Sequence, residues 1–178
     1  KIQSRRDEII NSLRKGMADS MRALGKIKFI QGSATITSQN KIIVETNSSP
    51  TEIQAEKIII ATGSEPIQIP QIPFDGQTVI SSKEALTLPQ IPKSMIIIGG
   101  GVIGCEMACV YTVMGTKITI IEAMPNLLPM EDKWVGRLLE REFKKLGIDI
   151  LTGQKAASLD KSSSPAKLVL ENGRTIES

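Results

Sequence analysis

The chain has 178 residues, of which 40% are hydrophobic and only 3% are aromatic, and its formal net charge is +3. The mild, scattered charge and the rarity of aromatic side chains argue against nucleic-acid binding, and the lack of a long apolar run argues against a membrane span. Because the sequence has two cysteines and no histidine, it contains no disulfide framework, no Cys/His zinc site and no Ser-His or Cys-His catalytic pair.

The first third of the sequence predicts a helix followed by a β-meander. Apolar residues recur at helical spacing over residues 5–24, and Gly25 supplies a stop signal. Short runs rich in Ile, Val, Thr and Phe follow, separated by polar turn residues. These runs predict strands at 27–31, 33–38, 41–46 and 51–55. The run KIIIATGSEP at 57–66 is apolar as far as a glycine, which is typical of a buried parallel strand.

The second half of the sequence predicts alternating strands and helices after a linker. Prolines and a glycine punctuate residues 66–93, which indicates a linker with one short helix near 82–87. Apolar strands then alternate with amphipathic helices, and glycine or proline marks the turns between them. The predicted elements are a strand at 95–98, a helix at 102–114, a strand at 117–122, a helix from Val135 to Leu146, a strand at 148–151 and a final hairpin that turns at Asn172-Gly173.

Two distant segments share one pattern, MRALGKIKFIQG at 21–32 and FKKLGIDILTG at 143–153. Each has the end of a helix, Leu-Gly, an apolar strand, a polar residue and a glycine, and we expect a meander after each. The spacing between the copies is too long for a solenoid, so the repeat predicts two related domains, each incomplete, in the middle of a longer protein. The alternative is chance similarity between two helix–strand junctions.

A glycine motif follows the predicted strand 95–98. Gly99, Gly101 and Gly104 fit the pattern G-x-G-x-x-G, and Glu122 ends the next strand 18 residues after Gly104. This context is typical of dinucleotide binding: Gly99 permits the tight turn, Gly101 lets a pyrophosphate approach the backbone, and Gly104 lets the helix pack closely. The helix N-terminus supplies free N–H groups to the phosphates. The alternative is a glycine-rich turn in an unrelated α/β domain.

Glu122 also predicts which dinucleotide binds. Its carboxylate can accept hydrogen bonds from the hydroxyls of the adenosine ribose, whereas it would repel a 2′-phosphate group at the same place. No Arg or Lys occurs in residues 123–130 to receive such a phosphate. The sequence therefore favours NAD over NADP.

Three stretches occur in an order that resembles the pyridine nucleotide–disulfide oxidoreductases, and within them the dihydrolipoamide dehydrogenases. They are KIIIATGSEP, VISSKEALTLPQIPKSMIIIGGGVIGCEMA and IIEAMPNLLPMEDKWVGRLLEREFKKLGI. The resemblance implies an α/β fold with two incomplete Rossmann-like nucleotide-binding domains, each with an antiparallel β-meander. It implies that residues 1–70 are the C-terminal part of an FAD-binding domain, 71–93 a linker and 94–178 a truncated NAD-binding domain.

The resemblance also implies which residues contact the two cofactors. For FAD they are Ala34, whose backbone meets the adenine, and the segment Thr62, Gly63 and Ser64. For NAD they are Gly99, Gly100, Gly101, Val102, Ile103, Gly104, Glu106 and Glu122, with Ala156 as a backbone contact near the adenine. Glu106 matches a glutamate near the junction of nicotinamide and flavin. The alternative for Glu106 is a solvated helix residue.

The redox groups of the family are absent from this sequence. Family members carry a Cys-x4-Cys pair near the flavin and a His-Glu base, and neither occurs here. Cys105 and Cys109 lie four apart on the predicted nucleotide-binding helix, where a bridge would strain the helix. We interpret them as buried thiols packed against the sheet. No catalytic residue and no metal ligand is therefore predicted in this chain.

The resemblance implies an enzyme in which a dithiol reduces a protein disulfide, electrons pass to flavin, and hydride passes to NAD⁺. The implied substrate is dihydrolipoamide on a carrier protein of a 2-oxoacid dehydrogenase complex, and the implied enzyme is a homodimer of the bacterial cytoplasm or the mitochondrial matrix. Two alternatives stay open, a mercuric or glutathione reductase and a nucleotide-binding module without catalysis of its own. We expect the 178-residue chain alone to be inactive and to hold flavin weakly, if at all.

Overall fold

The computed structural model describes residues 2–178, and the chain divides into two units, Lys1–Ser64 and Glu65–Ser178. The first unit contains the helix α1 (Ile2–Ala23) and the strands β1 (Ser33–Ser38), β2 (Lys41–Glu45) and β3 (Thr51–Gln54). The strands form an antiparallel sheet in the order β1-β2-β3, in which Val44 lies opposite Ala34 on one side and Thr51 on the other. The helix and the last three strands of the meander are confirmed.

The first unit buries very little of its apolar surface. No residue of α1 is buried, and its apolar residues Leu13 and Met17 are 65% and 66% exposed. Val44 on β2, at 6% exposed, is the buried hydrophobic residue of the sheet. The apolar stripe that predicted α1 is therefore present but uncovered. No helix among residues 2–178, α1 included, is long and apolar enough to cross a membrane.

Two predicted strands of the first unit are wrong. Residues 27–31 and 57–61 belong to no helix or strand, and Ile59 and Ile60 are 89% and 71% exposed. A strand exists only where a neighbour completes its backbone hydrogen bonds, and an apolar run of the parallel type needs neighbours and helices around it. No described residue offers such a neighbour to KIIIATG, so the run stays unpaired.

The second unit contains a parallel sheet with helices and a second meander. The parallel strands are β4 (Ser94–Ile98), β5 (Lys117–Glu122) and β6 (Asp149–Thr152), in the order β4-β5-β6. The helices α3 (Val102–Val113) and α4 (Lys133–Lys145) connect them. The meander consists of β7 (Ala156–Asp160), β8 (Lys167–Leu170) and β9 (Thr175–Glu177). The predicted strand–helix order, the final hairpin and the expected meander after residue 153 are confirmed, whereas no individual strand was predicted at the position of β7.

The central strand β5 divides the core of this unit into two clusters. Ile120 lies in one cluster and Ile121 in the other, 0% and 1% exposed. The helix-side cluster includes Cys105, Ala108, Tyr111, Ile118, Ile120, Leu127 and Phe143. The meander-side cluster is built on Ile72, Ile121, Leu168 and Leu170. Successive side chains of a strand point to opposite faces, so one apolar run serves both layers, as in other parallel strands buried on two faces.

The proline-rich segment predicted as a linker lies in the second unit. Ile72 is 4% exposed and belongs to the meander-side cluster. A capping box lies at the N-terminus of the short helix α2 (Ser82–Ala85). The Ser81 hydroxyl accepts the N–H of Lys83, and the Glu84 carboxylate accepts the N–H of Ser81. The predicted short helix is confirmed, and Ile72 ties the segment to the core of this unit.

Candidate functional site

The glycine turn between β4 and α3 is shaped by contacts that exclude side chains. Gly99 has a φ of +113°, which favours glycine, and its N–H donates to the carbonyl oxygen of Ile121 at 2.8 Å. A Cβ at Gly104 would lie 2.0 Å from the carbonyl oxygen of Gly99, so only glycine lets α3 begin this close to the strand. A Cβ at Gly101 would meet nothing within 4 Å, which leaves space beside that backbone for a ligand.

The N-terminus of α3 lies at this open space. Gly101 is the N-cap residue and has no side-chain capping bond, and the first turn carries no acidic residue. The N–H of Cys105 donates to the carbonyl oxygen of Gly101 at 2.9 Å, while Val102 and Ile103 are 53% and 59% exposed. The first N–H groups of a helix have no partner within the helix, and the helix dipole is positive here. The turn therefore suits a phosphate group.

Glu122 ends β5 beside the glycine turn and is only 7% exposed. Its Oε2 accepts the N–H of Gly100 at 2.6 Å, and its Oε1 accepts the N–H of Met124 at 2.7 Å. This backbone pairing adds to the role that the sequence predicts for the carboxylate. A carboxylate has about four lone-pair sites, so each oxygen can still accept one further donor, such as a ribose hydroxyl.

The loop after β5 contributes residues that the sequence reasoning missed. The N–H of Leu128 donates to the carbonyl oxygen of Gly100 at 2.8 Å. Leu127 is 1% exposed, and its Cδ2 lies 2.4 Å from where a Cβ of Gly100 would stand. A signal was present, because an apolar Leu-Leu pair between Pro125 and Pro129 is unusual in a segment whose composition otherwise predicts a solvated turn.

The segment between β6 and β7 joins the same edge of the sheet. The N–H of Gly153 donates to the carbonyl oxygen of Met124 at 2.9 Å, and the N–H of Gln154 donates to the carbonyl oxygen of Glu122 at 3.0 Å. Ala156, the first residue of β7, follows two residues after this contact and is half-buried. The structure thus brings Ala156 to the edge where the glycine turn and Glu122 lie.

The other predicted site residues are exposed. Glu106 lies on α3, and its side chain makes no hydrogen bond or ion pair to any described residue. Ala34 is exposed on β1 of the first unit. Thr62, Gly63 and Ser64 are exposed in the segment without secondary structure, and Gly63 has a φ of +81°. All four of these residues belong to the first unit.

A cavity of about 440 Å³ lies at the opposite end of the parallel sheet. Its lining includes Ser94, Lys117 and Asp149, which are the first residues of β4, β5 and β6. Ligands of open α/β sheets bind beyond the carboxyl ends of the strands, which is the end where Gly99 follows β4 and Glu122 ends β5. We therefore place the candidate site at the glycine turn and not in this cavity.

Cys105 packs beneath the glycine turn. It is 5% exposed, and its Sγ donates to the carbonyl oxygen of Gly100 at 3.3 Å. Burial, followed by the neighbouring Cys109 and Glu122, raises the pKa of the Cys105 thiol to about 11, so the thiol is protonated at neutral pH. Both cysteines are free. The prediction of a buried packing thiol is confirmed for Cys105, and Cys109 is half-buried.

Comparison with known proteins gives one consistent match in sequence. The family described as pyridine nucleotide-disulphide oxidoreductase matches residues 2–178. The chain is 36% identical over 166 residues to a dihydrolipoyl dehydrogenase of Bacillus subtilis and 40% identical over 142 residues to one of Chlorobaculum tepidum. These matches cover 93% and 79% of this chain but only 36% and 27% of the two relatives, so the chain spans well under half of their length.

Solved structures show the same likeness. The crystal structure of LpdA from Mycobacterium tuberculosis matches with a TM-score of 0.88 at 23% identity, over 99% of this chain and 40% of that one, and shows the fold. The HOCl-induced flavoprotein disulfide reductase RclA from Escherichia coli matches with a TM-score of 0.81 at 27% identity, over 98% of this chain and 40% of that one. The predicted α/β fold with Rossmann-like domains and antiparallel meanders is confirmed.

Proposed function

Because this chain belongs to the pyridine nucleotide-disulphide oxidoreductase family, we propose that it is the central FAD- and NAD-binding part of a dihydrolipoamide dehydrogenase. The observation that carries the proposal is the glycine turn, in which Gly99 and Gly104 allow a tight strand-to-helix connection, Gly101 leaves open space, and Glu122 stands alongside. The relatives named dihydrolipoyl dehydrogenase support the choice within the family.

We assign NAD to the second unit. Its pyrophosphate fits the space beside Gly101, where the N–H groups of Val102 and Ile103 have no partner within the helix. Glu122, whose oxygens each have a lone pair left, would hold the adenosine ribose, and Ala156 would contact the adenine. No Arg or Lys stands between Glu122 and Lys133 to receive a 2′-phosphate, which supports NAD over NADP.

We assign FAD to the first unit, through the backbone of Ala34 and the segment Thr62–Ser64. The exposure of these four residues supports the assignment. In domain terms, residues 1–70 are the C-terminal part of the FAD-binding domain, 71–93 the linker and 94–178 the NAD-binding domain. The division of the chain into two units after Ser64 supports two domains, and residues 65–93 group with the second of them.

The chain's own residues bind and orient the cofactors in this proposal. When bound, NAD accepts a hydride and FAD relays electrons from a redox-active disulfide, which is the chemistry that the cofactors supply. The glycine turn would hold the pyrophosphate and Glu122 would hold the ribose, while the resemblance assigns the exposed Glu106 of α3 to the neighbourhood of the nicotinamide. The only cysteines, Cys105 and Cys109, lie in the nucleotide-binding helix, so the disulfide belongs to another part of the parent protein.

The proposed substrate is dihydrolipoamide on a carrier protein of a 2-oxoacid dehydrogenase complex, and the proposed parent enzyme is a homodimer. The dihydrolipoyl dehydrogenases among the relatives support the substrate. The proposed compartment is the cytoplasm of a bacterium or the mitochondrial matrix. The bacterial origin of both relatives supports the first of these compartments.

The likeness to RclA favours a second candidate, a disulfide reductase of the mercuric or glutathione reductase type. In such an enzyme electrons run from the nucleotide to a disulfide. These reductases commonly favour NADP. The carboxylate of Glu122, without a cationic side chain in the loop that follows it, argues against this candidate.

The proposal is tested by titrating the 178-residue chain with NAD⁺ and NADP⁺ in a calorimeter. We expect NAD⁺ to bind, with NADP⁺ weaker by about tenfold or more, because like charge meets the 2′-phosphate. Absence of NAD⁺ binding, or equal affinity for both nucleotides, would contradict the assignment. We also expect no lipoamide dehydrogenase activity from this chain. Steady NADH formation from dihydrolipoamide by the chain alone would refute that expectation.

A further inference from the structure

The glycine turn and Glu122 are held in place by a loop that makes none of the proposed ligand contacts, and α4 holds that loop. We propose that Glu140 on α4 is a positioning residue of the nucleotide site and acts through Leu127. The proposal rests on the function proposed above, because it explains how the same site keeps its shape. It assigns to α4, whose Phe143 packs in the helix-side cluster, a role at the nucleotide site.

The link between α4 and the loop begins with a hydrogen bond. The N–H of Leu127 donates to Oε1 of Glu140 at 3.2 Å. Both residues are shielded, since Leu127 is 1% exposed and Glu140 is half-buried. Hydrogen bonds to a charged group are stronger than neutral ones, and a buried N–H left without a partner is costly. Glu140 therefore fixes the path of the main chain at Leu127.

A second contact lies one turn earlier on the helix. A Cβ at Gly136 would stand 2.3 Å from the carbonyl oxygen of Leu127, so the backbone of α4 lies directly against that carbonyl group. Gly136 and Glu140 are separated by one helical turn and share a face of α4. The N–H and the carbonyl group of Leu127 are thus both located by one stripe of the helix.

Leu127 transmits this placement to the site. Its Cδ2 fills the space beside Gly100, and the N–H of the next residue, Leu128, donates to the carbonyl oxygen of Gly100 at 2.8 Å. The N–H of Gly100 in turn holds Oε2 of Glu122 at 2.6 Å. A series of direct contacts therefore runs from Glu140 through Leu127 and Gly100 to the carboxylate that is proposed to bind the ribose.

The bonding of Glu140 differs from that of its neighbour Glu142. Within the described residues, the Leu127 N–H is the hydrogen-bond partner of Glu140, and no Lys or Arg pairs with it. Glu142, which is also half-buried, pairs instead with Arg141 and Lys145 of the same helix. A carboxylate held half-buried by a backbone donor alone is suited to fixing a loop. Glu142 supplies a matched control with the same charge on the same helix.

The test compares Glu140→Leu, Glu140→Gln and Glu142→Leu in the 178-residue chain. Glu140→Leu removes the acceptor at similar volume, so NAD⁺ affinity measured by calorimetry should fall roughly three- to tenfold, and the amide signals of Leu127 and Gly100 should move in a ¹⁵N spectrum. Glu140→Gln keeps an oxygen acceptor and should restore near-normal affinity and signals. Glu142→Leu should change neither. Glu140→Ala replaces Glu140→Leu if the added apolar surface impairs folding.

Three results would overturn the proposal. They are wild-type NAD⁺ affinity in Glu140→Leu, equal weakening by Glu140→Leu and Glu142→Leu, and no rescue by Glu140→Gln. A wild-type chain that binds no NAD⁺ would refute the proposed function instead. In that case the ¹⁵N amide signal of Gly100 in Glu140→Leu would test the positioning role by itself. A shift of the signal relative to the wild type would support the role, and an unchanged signal would refute it.

Discussion

The two antiparallel meanders of this chain share a strand order and differ in what lies against them. Both have three strands in sequential order with the second strand in the middle. In the second meander, Leu168 and Leu170 of the middle strand are 2% and 1% exposed, because they belong to one cluster with Ile121 of the parallel sheet. In the first meander, the middle strand buries only Val44, at 6% exposed.

Strand pairing and burial are therefore determined at different levels. Alternating side chains and turn residues set the register of a hairpin within a few residues of the chain. Burial requires a second layer, and the second unit supplies one with its parallel sheet, whereas the described residues of the first unit form a single sheet. Since apolar burial is the dominant favourable term in folding, we expect most of the stability of the chain to reside in Glu65–Ser178.

The largest expected effect comes from truncating matched aliphatic residues in the two meanders. Leu170→Ala should lower the free energy of unfolding by about 2–5 kcal/mol, because it leaves a cavity in a buried cluster. Ile36→Ala on β1 should change it by less than about 1 kcal/mol, because Ile36 is 48% exposed. Urea unfolding followed by far-UV circular dichroism measures both. Equal losses would mean that the first meander is as firmly packed as the second.

Two glycines extend the comparison to the helices. Gly104→Ala brings a Cβ to 2.0 Å from the carbonyl oxygen of Gly99, so the turn must open, at a cost of about 1–3 kcal/mol and with loss of NAD⁺ binding. Gly16→Ala meets nothing within 4 Å in α1 and should stabilise that helix by about 0.5–1 kcal/mol. The midpoint of thermal unfolding and the helical content should therefore fall in Gly104→Ala and rise in Gly16→Ala. Destabilisation by Gly16→Ala would show a hidden contact on α1.

The third effect uses a ligand that only the second unit is proposed to bind. Glu122→Ala removes the acceptor for the ribose hydroxyls and for the N–H groups of Gly100 and Met124. NAD⁺ binding should therefore weaken about tenfold or more, which corresponds to a loss of about 1.4 kcal/mol or more. NADP⁺ binding should change little or improve, and adding Arg at Ala123 should favour NADP⁺ further. Titration of each variant with both nucleotides measures this. If the ratio of the NAD⁺ affinity to the NADP⁺ affinity stays unchanged, Glu122 does not bind the ribose.

The smallest effect concerns pH and the second unit alone. The ammonium of Lys161, followed by the N–H groups of Gln77, Val79 and Thr78, lowers the pKa of Asp75 well below its usual range. A lowered pKa in the folded state stabilises the protein above the unfolded value of about 3.9, and this stabilisation is lost as pH falls further. Because the pair is partly exposed, screening keeps the effect small.

Asp75→Asn should therefore make the unfolding midpoint of the second unit less sensitive to acid below about pH 4. At neutral pH the variant should be slightly less stable than the wild type, because it lacks the ion pair with Lys161. A series of thermal unfolding curves from neutral to acid pH gives both comparisons. Parallel curves for the two proteins would show that Asp75 does not contribute.

The parallel strands and their helices could be predicted because their signals are local. Apolar runs, helical periodicity and glycine turns predict the bounds of the strands and the helix from Ser94 to Glu122 almost to the residue. The repeat predicted a meander after residue 153, but the position of β7 within it could not be predicted, because AASLD contains one large apolar residue and shows no clear alternation. KIIIATG has a strong strand pattern and forms none, because pairing depends on neighbours that the run itself does not encode.

The candidate site divides in the same way. The positions of Gly99, Gly101, Gly104 and Glu122 could be predicted because each lies at a boundary between elements. The Leu-Leu pair indicates that the loop is buried, but the contact of Leu127 with Gly100 could not be predicted, since it depends on the loop folding back onto the glycine turn. A fold-back of this kind leaves no period in the sequence, and its main-chain hydrogen bonds are made by groups that every residue carries.

Strand β5 makes the length of one chain segment critical. Ile118 and Ile120 serve the helix side and Ile121 serves the meander side, so deleting one residue between α3 and β5 would turn every side chain to the opposite layer and carry Thr119 into the helix-side core. Deleting two would keep the faces but slide the strand by about 7 Å past its parallel neighbours. Insertions and deletions are therefore tolerated least before β5, and best in residues 161–166, where the hairpin between β7 and β8 is largely exposed.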